Sequence, residues 1–538
     1  MFAFDFQPID SIFVDDVTNP TPDNQPQNRE REPINDEERH VHGRGCGRSR
    51  GRGRGQGACV QRQAQGQRQG QNADPGINWS ENNTYTRRPD FNQNSTGPTR
   101  RFVPQQQDND KAYFDVIFTD NIWELIVRET NRYHDFVLAT EPNKHKGKWH
   151  AVTIEEMQAF IGILILMGII RLPRLKMYWG EDYLVHQASI SSVMPRTRFL
   201  QILRYFHLAD NSIAIPRGRD GYDKLYKVRE FLNIISSNIT REYNLSQHIS
   251  INETMVPHKG RLSYKQYIKS KPTKWGIKLW VLSEAATGYI YKFQVYLGKE
   301  AAAEKHLARR VVRDLTAALR GFNHHLYMDN FYTDPHLFTE LIDANIYCCG
   351  TVKAKRKGFP QDIVIPKRQE RHLARGHYQW RMSDKRLLAM SWFDKRTVYL
   401  LSTIHTPKHD DGSLPNAQRK GRNGEAIAVP CPPAHCDYQK YMGGVDLSDQ
   451  LIKNFSVIRK SKKAWKKLFG YGLEVCLLDS FIIMKQVSQS PKDFVEYRLE
   501  IARELMGNRS FRKKVGRPKV WQASARDETR LNDNKHEI

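Results

Sequence analysis

Residues 250–278 read SINETMVPHKGRLSYKQYIKSKPTKWGIK. Alternating apolar and polar positions predict a strand over 248–255. Pro257 and Gly260 predict a turn, and the chain returns as a second strand near Ile277. Asn252 and Glu253 stand near the end of the first strand. Far downstream lie Asp329, in LYMDNFYTD (326–334), and Asp446 and Asp449, in GGVDLSDQ (443–450). Acidic groups remote in sequence and gathered by a fold are what two-metal phosphoryl transfer requires. The amide at Asn252 is the odd member of that set.

Outward from this stretch, strands are expected at 277–284 and 289–295, then a helix over 301–319. A strand at 325–328 ends on Asp329, Asp334-Pro335 opens a helix, and a fifth strand follows at 347–353. Three strands, a helix, a strand, a helix and a strand make a mixed α/β domain in the ribonuclease-H-like order. The preceding block, 114–245, reads as mostly helical, with a capping box at Thr153–Glu156. After the fifth strand, 380–384, 387–392 and 397–403 read as a small antiparallel set, and the Gly/Pro-rich loop 405–433 reads as mobile. Helices resume at 464–487 and 491–506.

The chain has 538 residues and a formal net charge of +25, which points to a polyanionic partner. An acidic segment up to Arg39 and an arginine/glycine/glutamine segment over Gly43–Gly70 predict a disordered tail over 1–110 that binds nucleic acid loosely. Seven cysteines in this length make no disulfide framework. Cys431 and Cys436 flank His435 without a second pair, so reduced thiols are expected there. Residues 1–14 carry acids and no basic leader pattern, and the longest apolar run, 159–170, is too short to span a bilayer. A nuclear protein without a membrane segment is expected.

FLQILRYFHLADN (199–211), MVPHKGRLSYKQYIKSKP (255–272), KWGIKLW (274–280), YMDNFYT (327–333), CCGTVKAKRKG (348–358), SWFDKRTVYLLST (391–403) and YMGGVDLSDQL (441–451) follow one another in order. Together they resemble the piggyBac transposase family over about residues 110–485. The resemblance implies a cut-and-paste DNA recombinase acting at TTAA with Mg²⁺. It also implies a homodimer and an interrupted ribonuclease-H-like domain flanked by a discontinuous helical one. The expected organisation is a tail (1–110), helical dimerisation and DNA-binding domain (111–247), ribonuclease-H-like domain (248–354), insertion (355–434), return to the catalytic domain (435–450), second helical part (451–508) and basic disordered end (509–538).

Carried over by position, Asp329 and Asp446 are the second and third catalytic and metal-binding acids, and Asp449 assists. The family's Ile-Asp-Glu is here Ile251-Asn252-Glu253, so Asn252 replaces the first acid. An amide offers one neutral oxygen, cannot bridge two Mg²⁺ ions well and removes a negative charge. Glu253 is a poor substitute, because neighbours on a strand face opposite ways. The reading is a DNA-binding protein derived from a transposase and impaired in cleavage; an active transposase is the alternative.

DNA contacts are expected from Lys259, Arg261, Lys265 and Lys274, and from Lys453, Arg459, Lys460, Lys462, Lys463, Lys466 and Lys467. Arg517, in a Gly-Arg-Pro core like that of an AT-hook, is a further candidate. No cysteine follows Cys476, so the family's terminal zinc module is not expected.

Overall fold

The computed structural model describes residues 76–512, apart from 83–84, 86–87, 100–108, 142–148, 270, 299–305, 410, 421–422 and 458–460. Two short strands come first, β1 (Trp79–Ser80) and β2 (Gly97–Pro98). Six helices follow: α1 (Asp110–Ile117), α2 (Asp120–Thr140), α3 (Ile154–Ile169), α4 (Ala188–Ser191), α5 (Arg196–Tyr205) and α6 (Tyr226–Arg241). Thr153 caps α3 by accepting the Glu156 N–H at 3.2 Å, as its capping sequence predicts.

The chain then changes to β3 (Tyr243–Asn244), β4 (His248–Pro257), β5 (Lys265–Tyr267), β6 (Trp275–Glu284) and β7 (Ile290–Val295). Helix α7 (Leu307–Thr316), β8 (His324–Met328), α8 (Pro335–Asp343) and β9 (Ile346–Thr351) complete the expected alternation. Next come α9 (Lys367–Glu370), β10 (Tyr378–Ser383), β11 (Leu388–Phe393), β12 (Thr397–Ser402), β13 (Asn416–Lys420) and β14 (Ala426–Pro430). The last helices are α10 (Pro433–Tyr441), α11 (Gly444–Asn454), α12 (Ala464–Ser488) and α13 (Phe494–Met506).

Strands β7, β6, β4, β8 and β9 lie side by side, β4–β8 and β8–β9 parallel and the others antiparallel. This mixed sheet flanked by helices is consistent with a ribonuclease-H-like fold. The antiparallel set β10–β12 is continuous with that sheet, because β12 pairs with β9.

Two expectations are corrected. The tail expected to lack order up to residue 110 is ordered in part: β1 adds to β10 at the sheet edge, Ile77 is buried, and Trp79 Nε1 donates to the Gly358 carbonyl at 3.1 Å. The short apolar Ile77–Trp79 segment is masked by the polar composition around it. The loop 405–433 holds the β13–β14 hairpin, whose Ala417 and Val429 are buried beside Trp392 and Cys431. Its alternation over 427–429 was hidden among turn residues. Residues 1–75 and 513–538, with the arginine/glycine segment and Arg517, lie outside the described residues.

The long apolar helices α3 and α12 are buried along most of their length, and α13 packs on α3. Among the described residues no helix is long and apolar enough to cross a membrane. One fully buried ion pair crosses this helical core: Arg498 Nη1 meets Glu474 Oε2 at 2.6 Å with both side chains at 0% exposure.

Candidate active site and nucleic-acid interface

The β4–β6 pairing runs unbroken from Ile249↔Glu284 to Pro257↔Gly276, with no bulge. Alternate residues of β4 therefore face opposite ways. Ser250, Asn252 and Thr254 face α11: the Thr254 hydroxyl donates to Asp449 Oδ1 at 2.6 Å. At Gly444, a Cβ would stand 2.5 Å from the Glu284 carbonyl and 2.8 Å from Ser250 Oγ. Only glycine lets α11 start this close to the sheet, and that contact sets where Asp446 and Asp449 project.

The β4–β8 register ends at Ile251↔Met328, so Asn252 and Asp329 are the next residues on adjoining parallel strands. Asn252 is buried, and its Oδ1 accepts the Glu253 N–H at 2.9 Å. Glu253 leaves β4 on the side opposite Asn252, where Lys278 Nζ meets its Oε1 at 2.9 Å, but its charge still reaches Asp329. The Lys278 ammonium also lies 4.8 Å from the Phe331 ring centroid.

Asp329 accepts the Phe331 N–H at 2.8 Å. Burial, then the Glu253 charge, hold its carboxyl above the usual range, against the N–H groups of Phe331 and Tyr332 and the Lys278 charge. Asp446 is half exposed, with Lys271 Nζ 3.8 Å away. Burial raises the Tyr438 hydroxyl to about 12, and the charges of both Asp329 and Asp446 add to the rise, so these two acids share its neighbourhood.

Asp449 is pushed up to about 6 from 3.8 by burial, with the Thr254 hydroxyl and the Lys271 charge opposing. A carboxyl whose folded pKa is raised costs stability as pH climbs from its unfolded value through the folded one. Asp449→Asn keeps an oxygen for Thr254 and removes that cost. It is expected to gain up to about 2 kcal/mol in urea unfolding at pH 7.5, with the gain shrinking toward pH 4. No gain at pH 7.5 would show that the carboxylate is not strained there.

These donors do not fit a two-metal centre. An amide whose oxygen is already engaged stands at the first position, and Asp449 is held by Thr254. Among the described residues no group of three or more His, Cys, Asp or Glu side chains is placed to hold a metal ion. Cys431 Sγ and His435 Nδ1 are 3.4 Å apart in the interior, but make no such group either.

The two predicted basic sets converge. A Cβ at Gly260 would stand 3.3 Å from the Lys462 carbonyl, so the loop of Lys259 and Arg261 packs against the segment of Lys462 and Lys463. His258 is lowered by burial first and then by the charges of Lys467 and Lys265. His207 is lowered to about 2 by burial and by Lys227, Lys463 and Lys466. Lys259, Arg261, Lys274, Lys453, Lys462 and Lys463 are exposed.

Others of the predicted set are turned inward. Lys467 is 7% exposed and lowered to about 8 by burial, and Lys466 Nζ donates to the Leu203 carbonyl at 2.6 Å at the end of α5. Lys265 donates to the Gly260 carbonyl at 3.1 Å. Arg459 and Lys460 lie outside the described residues. Lys227, on α6, joins the basic cluster with no signal in sequence: it is one lysine on an amphipathic helix until the fold sets Lys463 beside it.

A serine–histidine–aspartate chain occurs elsewhere, with Ser402 Oγ 2.8 Å from His405 Nδ1 and His405 Nε2 3.0 Å from Asp437. Ser402 is fully buried and its oxygen accepts the Ile404 N–H at 3.0 Å. It ties α10 to β12 and has no access to a substrate.

A mixed sheet in this order, with Asn252 and Asp329 at adjoining strand ends and Asp446 and Asp449 on a helix packed against it, is consistent with a ribonuclease-H-like fold. Comparison with known proteins makes this specific. A family model described as Transposase IS4 matches residues 109–481. The chain belongs to the piggyBac-type transposase family. It is 28% identical over 400 residues to human PiggyBac transposable element-derived protein 3, covering 72% of this chain and 63% of that protein. It is 25% identical over 425 residues to human PiggyBac transposable element-derived protein 5, covering 76% of each. It thus spans slightly less than two thirds of the first relative's length. The fold matches a cryo-EM structure of the piggyBac transposase synaptic complex with hairpin DNA at a TM-score of 0.65 and 23% identity, covering 82% of this chain and 86% of that one. Transposases of this type typically use Mg²⁺.

Proposed function

We propose that this chain is a transposase-derived, nuclear DNA-binding protein whose strand-cleaving centre is disabled at Asn252. The observation that carries the reading is the convergence of two basic segments, about 200 residues apart in sequence, on one another; on this reading Asp329 and Asp446 are inherited acids and Asn252 replaces the first. On this reading the helices of 111–247 and 451–508 form one DNA-binding and dimerising domain around the sheet, 355–434 is an insertion, and the exposed lysines and Arg261 contact phosphates. The solved relative whose fold the chain shares is a complex with hairpin DNA.

Charge reversal tests it. Wild-type protein is expected to bind duplex DNA at low salt, with affinity falling steeply as salt rises. Lys259→Glu/Lys462→Glu is expected to weaken binding about tenfold or more and to flatten the log–log salt slope by about two. Absence of binding at low ionic strength would overturn the DNA reading.

A further inference from the structure

The joint between β14 and α10 brings two thiols and an imidazole together. Pro432 is the cap residue of α10. The residue before a helix cap and the fourth residue after it meet on one side of the helix start. Cys431 and Cys436 hold those two places, and both belong to the apolar cluster around Trp392. Both are free thiols. Cys431 is fully buried, and burial first, then the charge and hydrogen bond of Cys436, push its thiol up. Cys436 is only half-buried, so a small solute reaches it first. Cys431 Sγ lies 3.4 Å from His435 Nδ1. Burial, then the Arg419 charge, lower His435 to about 4, which keeps it a neutral base at pH 7. His435 also lines an open cleft of about 260 Å³, with Trp392, Asp394, Arg396, Arg419 and Gln439, through which a proton can leave.

We infer that Cys431 and Cys436 form a reversible redox pair, with hydrogen peroxide as the oxidant and His435 as its base. In the first step the Cys436 sulfur attacks a peroxide oxygen. An S–O bond forms, the O–O bond breaks and water leaves, which gives a sulfenic acid. In the second step Cys431 passes its proton to His435 Nδ1 and its sulfur attacks Cys436. The S–S bond forms, the S–O bond breaks, and the departing hydroxide takes up that proton as water. Two thiols and one peroxide thus give one disulfide and two waters. Cys348, Cys349 and Cys476 are fully buried, and burial raises each of their thiols, so they are shielded from the same reaction. Oxidation ties the end of the β13–β14 hairpin to the first turn of α10, the helix that leads into α11 with Asp446 and Asp449. The pair stands whether or not the chain binds DNA.

The test treats the full chain with hydrogen peroxide and follows it by mass spectrometry without reductant. Cys46 and Cys59, which lie outside the described residues, are first replaced by serine. This parent chain is expected to lose two hydrogen atoms, to yield one cross-linked peptide joining Cys431 to Cys436, and to revert fully with dithiothreitol. Cys431→Ser is expected to stop at the Cys436 sulfenic acid, trapped by dimedone, and Cys436→Ser to leave Cys431 unoxidised. His435→Gln is expected to slow disulfide formation about a hundredfold while Cys436 forms its sulfenic acid at the parent rate. Thermal unfolding checks that each variant is folded. Free thiols at both 431 and 436 after excess peroxide would overturn the pair, as would oxidation that stops at Cys436 with Cys431 present, or a disulfide that joins two chains. Disulfide formation in His435→Gln at the parent rate would overturn the part given to the imidazole.

Discussion

Asn252→Asp is expected to raise Mn²⁺ affinity and DNA strand nicking by about three orders of magnitude over the wild-type chain. The register puts residue 252 next to Asp329 on adjoining parallel strands and on the face toward α11. An added carboxylate there stands beside Asp329. At a few ångströms and an effective dielectric of about 20, one further unit charge is worth about 4 kcal/mol toward a bound cation. Four kcal/mol corresponds to nearly a thousandfold in rate or affinity. The backbone needs no change, because the strand is regular and the substitution is isosteric. Removing the neighbouring carboxylate with Asp329→Ala in the N252D background is expected to return nicking to the wild-type level. Robust nicking by the wild-type chain, lost in Asp329→Ala alone, would sink the proposal, since it would mean that an amide serves as first ligand or that Glu253 leaves Lys278 to do so.

The largest expected stability effect is at Arg498. Its guanidinium holds Glu474 from α13 and donates to the Phe455 carbonyl at 2.6 Å, while Glu474 accepts the Val457 N–H at 2.5 Å. The pair thus secures the segment that leaves α11, the helix of Asp446 and Asp449. Arg498→Ala leaves the Glu474 carboxylate buried without its cation, and removal of one partner from such a pair costs about 3–5 kcal/mol. Urea unfolding is expected to show a loss of that size, and Glu474→Gln/Arg498→Met to recover much of it. A loss under about 1 kcal/mol in Arg498→Ala would show that water reaches the pair and screens it.

Much of the ribonuclease-H-like part was legible because its signals are local. Strand periodicity at 248–255 and 277–284, Asp334-Pro335 ahead of α8 and the cap at Thr153 each act within a few residues. Strand β5 and the β13–β14 hairpin were not, since three- and five-residue strands without a clear alternation carry little periodic signal. β1 was lost for a related reason: a two-residue strand takes its stability from the edge it pairs with, not from its own sequence.

The site divides in the same way. That an amide stands at 252, that three acids lie downstream and that two lysine-rich segments exist are covalent facts, and the strand period alone turns Glu253 away from Asn252. Which groups meet was decided by the tertiary structure. Gly444 lets α11 approach until Asp449 reaches Thr254, Gly260 brings Lys259 and Arg261 against Lys462, and burial turns Lys467 inward while Lys463 stays in water. Charge and pKa depend on distance and solvent, and both are properties of packing between segments hundreds of residues apart.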